Sequence, residues 1–130
     1  MIGLDTTALI DLFKENKNIK MLLNEVDDEI ILNNILYLEL MLGLDFENLK
    51  HKDEEKFYDG IFNTYTILSL DFNASKKSSN ILNELKKSGK IIGLFDCSIA
   101  GIYLSKGVNK IITRNKKHFE NIKGLEIINY

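Results

Sequence analysis

Hydrophobic residues in this chain recur with two spacings, and segments of the two kinds alternate along the sequence. Short apolar runs such as IIL at 30–32 are typical of buried strands, whereas apolar residues three and four positions apart, such as Ile19, Leu22 and Val26, indicate helices. The pattern predicts five strands, at residues 1–4, 30–32, 65–70, 110–113 and 125–128. It also predicts helices around residues 9–13, 19–26, 35–44, 47–62, 74–85 and 96–103, with a helical turn at 115–121.

Strands that alternate with helices favour a parallel sheet. Neighbouring parallel strands need a crossover connection, which is usually a helix, and the resulting sheet is covered on both faces. The sequence therefore predicts an α/β fold in a single domain, residues 1–130. Ligands of such sheets gather at the carboxyl ends of the strands. Asp5 and Thr113 fall at such ends, and the helices that carry Glu39 and Asp96 begin near them.

The composition limits the class of protein and its location. The chain is 45% hydrophobic and 28% charged and has no proline, so no proline-rich linker divides it. The longest apolar run, residues 35–44, is too short to cross a bilayer, and the N-terminus lacks the features of a signal peptide. We therefore expect a cytoplasmic protein without a membrane partner. The single cysteine, Cys97, excludes an internal disulfide and is expected to be a small core residue.

Charge is distributed unevenly between the two halves of the chain. The net charge is −2, which taken alone argues against a general nucleic-acid-binding protein. Residues 1–65, however, hold 14 acidic and 6 basic residues, whereas residues 66–130 hold 5 acidic and 11 basic ones. A basic second half suits contact with a polyanion, although solvated helix surfaces would give the same pattern.

Two acidic residues lie in otherwise apolar helices. Asp96 stands at the predicted start of a helix, where a carboxylate serves either as an N-cap or in catalysis. Glu39 interrupts the apolar segment 35–44, which the pattern predicts to be deeply buried. An unpaired carboxylate is costly to bury, and no lysine or arginine lies between Lys20 and Lys50. Glu39 therefore needs either an ion pair distant in sequence or a functional ligand.

Together with Asp5, these two acids form a candidate cation site. Three carboxylates that meet at one end of a sheet repel one another unless a cation lies between them, and Mg²⁺ and Mn²⁺ prefer such oxygen ligands. A divalent cation in this setting activates water and offsets charge on a phosphodiester. The sequence has no cluster of Cys and His for zinc and neither glycine-rich phosphate loop, GxGxxG or GxxxxGK. This pattern favours metal-dependent phosphodiester chemistry.

Four segments, taken in order, resemble the PIN-domain nucleases and in particular the VapC-type toxin ribonucleases of toxin–antitoxin pairs. They are LDTTALIDL around Asp5, LYLELMLG around Glu39, DCSIAGI from Asp96, and ITRNKKHF followed by GLEII. The resemblance covers nearly the whole chain. It implies a three-layer α/β/α sandwich with a mainly parallel central sheet, Mg²⁺- or Mn²⁺-dependent cleavage of RNA, a homodimer, and inhibition by a cognate antitoxin protein.

The same resemblance assigns roles to individual residues. Asp5, Glu39 and Asp96 match the three acids that such nucleases use as catalytic metal ligands. Asn115 takes a fourth position that is often Asp in the family, so a second metal ion would lose a charged ligand there. Thr113 matches the polar residue before it, and it either holds a carboxylate or a water by a hydrogen bond or is an ordinary strand-end threonine.

Basic residues beside these positions are candidates for RNA contacts. We expect Arg114, Lys116 and Lys117 to bind RNA phosphates, which position a strand without selecting its sequence. His118 either stacks on a base or is a structural or exposed histidine. Two other functions stay open on the sequence alone. They are an RNA-processing nuclease without an antitoxin, and a catalytically degenerate domain that binds RNA or a partner without cleaving it.

Overall fold

The computed structural model describes residues 1–130 as five strands and seven helices. The strands are β1 (Ile2–Leu4), β2 (Ile30–Asn33), β3 (Thr66–Leu68), β4 (Lys110–Ile112) and β5 (Glu126–Ile128). The helices are α1 (Thr6–Phe13), α2 (Lys17–Glu25), α3 (Asn34–Leu42), α4 (Leu49–Thr64), α5 (Phe72–Lys87), α6 (Leu94–Ser105) and α7 (Lys116–Phe119). Every predicted strand and helix is therefore present, with most boundaries shifted by one or two residues.

The strands form one sheet in the order β3-β2-β1-β4-β5, and every neighbouring pair is parallel. The chain runs from β1 to β3 in one direction across the sheet, then crosses to β4 and continues to β5 in the other. Because such crossovers are right-handed, α1 to α4 cover one face and α5 to α7 the other. Helix α1 packs on α2, α3 and α4, while α6 packs mainly on α5 and also contacts α3 and α7. The predicted three-layer α/β/α sandwich is confirmed.

Helix α6 begins two residues earlier than the sequence pattern indicates. Its N-cap is Gly93, which has extended backbone angles and no side chain to form a capping bond. Leu94 and Phe95 make up the first helical positions, and Asp96 lies within the first turn. The prediction that the helix opens on Asp96 was therefore wrong, and the N-cap role for this carboxylate is wrong with it.

Helix α3 is less buried than its composition predicts. Leu36 and Leu40 lie in the core, but the side chains of Leu38 and Leu42 are 45% and 66% exposed. A helix packs on a sheet through one side only, so a sequence that is apolar all round must leave part of its apolar surface in solvent. Glu39 is partly buried rather than enclosed. No helix in the chain combines the length and the apolar character needed to cross a bilayer.

The core supports β1 and β2 directly beneath the candidate site. Tyr103 of α6 is fully buried, and its hydroxyl reaches the carbonyl oxygens of Leu4 at 2.6 Å and Ile31 at 3.1 Å. Its ring lies against Gly3, where an added Cβ would come within 2.4 Å of the ring. Cys97, two turns earlier on the same helix, is fully buried, as predicted. One aromatic side chain thus ties the end of β1 to the middle of β2.

Candidate active site

The candidate residues lie where the direction of the chain across the sheet reverses. Strands β1 and β4 are neighbours, but the connections that leave them run to opposite sides of the sheet. Such a reversal leaves a crevice beyond the carboxyl ends of the two strands, which is where open α/β sheets bind ligands. Asp5 follows β1 and Thr113 follows β4, so both side chains enter this crevice region.

Asp5 is buried and held by several hydrogen bonds. Its Oδ1 accepts hydrogen bonds from the backbone N–H of Ala8 at 3.0 Å and from the Thr7 hydroxyl at 2.7 Å. Its Oδ2 accepts one from the Thr113 hydroxyl at 2.6 Å, and only 3% of the residue is exposed. Asp5 is therefore both the N-cap of α1 and the centre of a group that we call the Asp5 cradle, made of Asp5, Thr7, Ala8 and Thr113.

The cradle orients the Asp5 carboxylate without fully compensating its charge. Burial raises the pKa of Asp5 above its usual value of 3.8, and the nearby Glu39 raises this pKa further. The hydrogen bonds from Thr113, Thr7 and Ala8 act in the opposite direction but do not cancel the effect of burial. No lysine, arginine or histidine forms an ion pair with Asp5. The Asp5 carboxylate is therefore already held in position, and a bound cation would supply the counter-charge that no basic side chain provides.

Glu39 approaches the same end of the sheet from α3. Its Oε2 accepts a hydrogen bond from the hydroxyl of Thr6, the residue after Asp5. No basic side chain forms an ion pair with Glu39, so a distant salt bridge does not account for it. Glu39 also lines a second cleft between α1, α3 and α4, together with Lys14 and Tyr58 among others. Thr6 lines the same cleft, and Glu39 is close enough to Asp5 and Asp96 to raise the pKa of both.

Asp96 is held by a single side chain. Its Oδ2 lies 2.9 Å from Nδ1 of His118, and the side chains of Asp96 and His118 are 18% and 50% exposed. Burial raises the pKa of Asp96, His118 lowers it, and the carboxyl groups of Glu39 and Asp5 raise it. His118 is thus half exposed and in contact with Asp96, and stacking of a base on His118 stays a prediction.

The three predicted acids lie at one end of the sheet and influence one another. Glu39 raises the pKa of both Asp5 and Asp96, and Asp5 raises that of Asp96. Their side chains nevertheless stay apart, and no three Asp, Glu, His or Cys side chains are grouped closely enough to hold a metal ion as they stand. The donors are all carboxylate oxygens, which suit Mg²⁺ or Mn²⁺. Their role as metal ligands stays a prediction.

The predicted RNA contacts line a single groove. We call it the basic groove, and its lining residues are Arg114, Asn115, Lys116, Lys117, His118 and Glu120. His118 connects this groove to Asp96, and the backbone N–H of Arg114 donates to the Thr7 hydroxyl of the Asp5 cradle at 3.2 Å. The backbone N–H of Asn115 donates to the Thr113 hydroxyl at 2.9 Å. The groove therefore opens directly beside the acids.

Sequence analysis missed two residues near this site. Asp11 is 2% exposed and binds both Arg114, at 3.0 Å, and the Tyr130 hydroxyl, at 2.8 Å. A signal was present, because Asp11 stands between Ile10 and Leu12 in an apolar helix, much as Glu39 does in α3. Nothing in the sequence pattern pointed to Tyr130.

A family model for the PIN domain matches residues 2–125. The chain belongs to the PIN-domain family. Ribonuclease VapC1 from Methanocaldococcus jannaschii is 34% identical over 97% of this chain and 85% of its own length. The tRNA(fMet)-specific endonuclease VapC from Salmonella typhimurium is 27% identical over 95% and 93%. The solved structure of VapBC-1 from nontypeable Haemophilus influenzae superposes with a TM-score of 0.82, covers 99% of this chain and 98% of its counterpart, and is 28% identical.

Membership in the PIN family confirms the resemblance drawn from the four sequence segments. PIN-domain nucleases of the VapC type generally depend on a divalent metal ion. The acids Asp5, Glu39 and Asp96 therefore lie in a fold whose relatives use a cation, at the end of the sheet where such folds bind ligands.

Proposed function

We propose that this PIN-domain protein is a metal-dependent endoribonuclease that hydrolyses RNA phosphodiester bonds, and that it is the toxin of a toxin–antitoxin pair. Two of its relatives carry the names Ribonuclease VapC1 and tRNA(fMet)-specific endonuclease VapC. The observation that carries the proposal is the set of three carboxyl groups at the β1/β4 crevice. Glu39 raises the pKa of Asp5 and of Asp96, Asp5 raises that of Asp96, and neither Asp5 nor Glu39 forms an ion pair with a basic side chain.

Asp5 and Asp96 would hold the cation directly, and Glu39 would either join them or orient the attacking water. When bound, Mg²⁺ or Mn²⁺ supplies a Lewis acid that eases deprotonation of water and offsets charge on the leaving oxygen. Thr113 fixes Asp5 through its hydroxyl donor, which is the holding role rather than that of an ordinary strand-end threonine. Asn115 offers a neutral oxygen in place of a fourth carboxylate, so we propose one principal cation.

The basic groove would bind the RNA strand. Lys116 and Lys117 are exposed, and Arg114 directs half of its side chain into solvent. Side chains of this kind bind phosphates of any sequence, so the choice of RNA target must come from elsewhere. The groove adjoins both Asp96 and the Asp5 cradle, so a phosphate bound in the groove would lie next to the proposed reaction centre.

The proposed partners are an antitoxin protein and a second copy of this chain. The solved Haemophilus relative is a VapBC assembly, which supports an antitoxin partner. Leu38 and Leu42, one turn apart on α3, offer an exposed apolar surface beside Glu39 for such a protein. Phe72 and Leu94, at the starts of α5 and α6, are 84% and 68% exposed and are candidates for the contact between two copies.

Cleavage of RNA by the purified protein tests the proposed activity. We expect the wild type to cut single-stranded RNA in Mn²⁺ or Mg²⁺ and to stop when EDTA is added. Asp5→Asn should lose cleavage and keep its fold, because the amide oxygen can still cap α1. Glu15→Gln is the matched control, since Glu15 is exposed and pairs only with Lys20. Chelator-insensitive RNA binding without cleavage would instead support a degenerate binding domain, and full activity of Asp5→Asn would discard the assignment.

Coexpression tests the toxin assignment separately. A gene for a small DNA-binding protein next to this one would supply the candidate antitoxin, and its product should copurify with the protein and suppress cleavage. Replacing Leu42 with Lys should weaken that complex while leaving RNA cleavage unchanged. Active enzyme with no neighbouring inhibitor would favour an RNA-processing nuclease without an antitoxin.

A further inference from the structure

The chain has a single arginine, and this arginine lies beside the candidate active site. All sixteen other basic residues apart from histidine are lysines, but residue 114, directly after Thr113, is Arg. Lysine presents a flexible point charge, whereas the guanidinium of arginine is a planar fork of five N–H donors that matches two oxygens of a phosphate. The planar head group of Arg114 therefore suggests that it binds two oxygens of a phosphate, a role for which positive charge alone is not enough.

Arg114 is fixed from the protein side by a buried carboxylate. Its Nη1 donates to Oδ1 of Asp11 at 3.0 Å, and the Asp11 side chain is only 3% exposed. The other oxygen of Asp11 accepts a hydrogen bond from the Tyr130 hydroxyl at 2.8 Å. Burial and this bond raise the pKa of Tyr130, so the phenol stays a proton donor. Both carboxylate oxygens of Asp11 are thus engaged, and its position is set from two sides.

The backbone of Arg114 is anchored as well. Its N–H donates to the Thr7 hydroxyl at 3.2 Å, and its carbonyl oxygen accepts a bond from the Asn129 side chain at 3.2 Å. The same Asn129 amide donates to the Thr113 carbonyl at 2.7 Å. Only one guanidinium nitrogen is used by Asp11, and 53% of the Arg114 side chain is exposed toward solvent. An arginine that is held at its base and at one nitrogen still has most of its donors free.

We propose that Asp11 and Tyr130 are positioning residues that hold the Arg114 guanidinium in the basic groove as a bidentate clamp for one phosphate of the RNA substrate. This inference rests on the proposed ribonuclease function and adds to it two residues that touch neither the RNA nor the cation. Asp11 orients the guanidinium, and Tyr130 fixes Asp11. Arg114 is linked through Thr7 to the Asp5 cradle, so the clamped phosphate would lie close to the bond that is cleaved.

Removal of the Asp11 charge gives a test with opposite outcomes. If Asp11 acted only through its charge, Asp11→Asn would strengthen RNA binding, because a negative charge beside the basic groove is lost. If Asp11 positions Arg114, the same substitution weakens binding. We expect Asp11→Asn and Arg114→Lys each to weaken binding about tenfold, the loss of one well-placed charge-assisted contact. Tyr130→Phe, which keeps the Asp11 charge, should weaken it by about twofold to threefold.

Fluorescence anisotropy with a short labelled single-stranded RNA in EDTA measures these affinities without cleavage. The double variant Asp11→Asn/Arg114→Lys should bind no more weakly than Arg114→Lys alone, because the two residues act as one unit. In Mg²⁺, Asp11→Asn should raise KM and leave kcat nearly unchanged. The slope of log affinity against log salt should fall by about 0.7 in Arg114→Ala, which removes one phosphate contact. Glu15→Gln serves as the charge-matched control.

The outcomes separate this inference from the function on which it rests. A wild-type protein that neither binds nor cleaves RNA overturns both. If the wild type binds RNA while Asp11→Asn binds equally well or better, only the clamp is overturned. Circular dichroism and thermal unfolding verify that each variant folds. If Asp11→Asn fails to fold, the RNA affinities of Tyr130→Phe and Arg114→Lys test the proposal instead. Wild-type affinity in both of these variants would overturn it.

Discussion

The Asp5 and Asp96 regions hold two similar carboxyl groups in very different ways. Asp5 accepts three hydrogen bonds, from a backbone N–H and two hydroxyls, and is almost completely buried. Asp96 contacts one histidine, itself half exposed, on the short helix α7. Both groups have a raised pKa, chiefly because of burial, but only the Asp5 cradle joins the residue after β1, the first turn of α1 and the residue after β4.

The difference indicates which half of the proposed cation site is preformed. Moving the Asp5 carboxylate would break bonds that also cap α1 and connect two strands. Moving Asp96 requires only a new rotamer and the loss of one contact with His118, a change of modest free-energy cost for a partly exposed pair. We therefore expect the Asp5 side to determine where a cation lies and the Asp96 side to adapt to it.

The largest expected effect comes from lengthening the two acids. A longer side chain would displace the carboxylate from the hydrogen bonds of the buried Asp5 cradle. Asp5→Glu should therefore reduce kcat/KM for RNA cleavage by about 10³-fold, or roughly 4 kcal/mol of transition-state stabilisation. Asp96→Glu should cost only about tenfold, because that side can adjust. Steady-state cleavage of a fluorogenic RNA measures both. Equal losses in the two variants would contradict the difference described above.

Cation binding should stabilise the fold through the same acids. At a free cation concentration about 100-fold above its Kd, Mn²⁺ should add about 2.7 kcal/mol to the free energy of unfolding. Thermal unfolding at neutral pH with and without Mn²⁺ measures this, and Asp5→Asn should abolish the effect. A Tm that rises equally in the wild type and in Asp5→Asn would show that the ion binds elsewhere.

The residues that hold the two acids should also differ in their contribution to stability, and the larger contribution should come from the Asp5 side. Thr113→Val keeps the shape of a buried side chain but removes both the donor to Asp5 and the acceptor for the Asn115 N–H. We expect a loss of about 1–3 kcal/mol in the free energy of unfolding. His118→Ala, at a half-exposed position, should stay within about 0.5 kcal/mol of the wild type. Urea unfolding compares the two, and a larger loss in His118→Ala would reverse our ranking of the two regions.

The smallest expected effect is a dependence of stability on pH in the absence of metal. Folding raises the pKa of Asp5 and Asp96 above 3.8, so the folded chain binds these protons more tightly than the unfolded chain does. Their contribution to stability is fully present below about 3.8 and is lost as the pH rises through the raised values. Asp5→Asn should flatten this part of the curve more than Asp96→Asn, since Asp5 is the more buried. Chemical unfolding over a pH series with EDTA measures the slopes.

The order of helices and strands was predictable from the sequence because it depends on local spacing of apolar residues. The parallel sheet followed from the alternation of the two patterns, and the location of Asp5, Glu39 and Asp96 toward one end of the sheet followed from the sheet, although their side chains stay apart. The start of α6 was not predictable from caps, since Gly93 has no capping side chain and Asp96 offered a false signal. The exposure of Leu38 was missed because composition does not say which side of a helix packs.

Contacts between residues far apart in sequence account for the rest. Asp11 and Tyr130 are 119 positions apart, and Thr113 lies 108 positions from Asp5. Neither pairing has a local pattern, because each depends on which strands become neighbours in the folded sheet. The contact between His118 and Asp96 is of the same kind, since it needs α7 to pack on α6.

Tyr103 and Gly3 place an unusual demand on the first strand. The aromatic ring occupies the volume where every residue but glycine would carry a carbon, and its hydroxyl reaches the last carbonyl of β1. The position at which the chain leaves β1 toward Asp5 therefore depends on the absence of a side chain at Gly3, two residues earlier. In this enzyme scaffold, the placement of the Asp5 carboxyl group thus depends on the Cβ atom that Gly3 lacks.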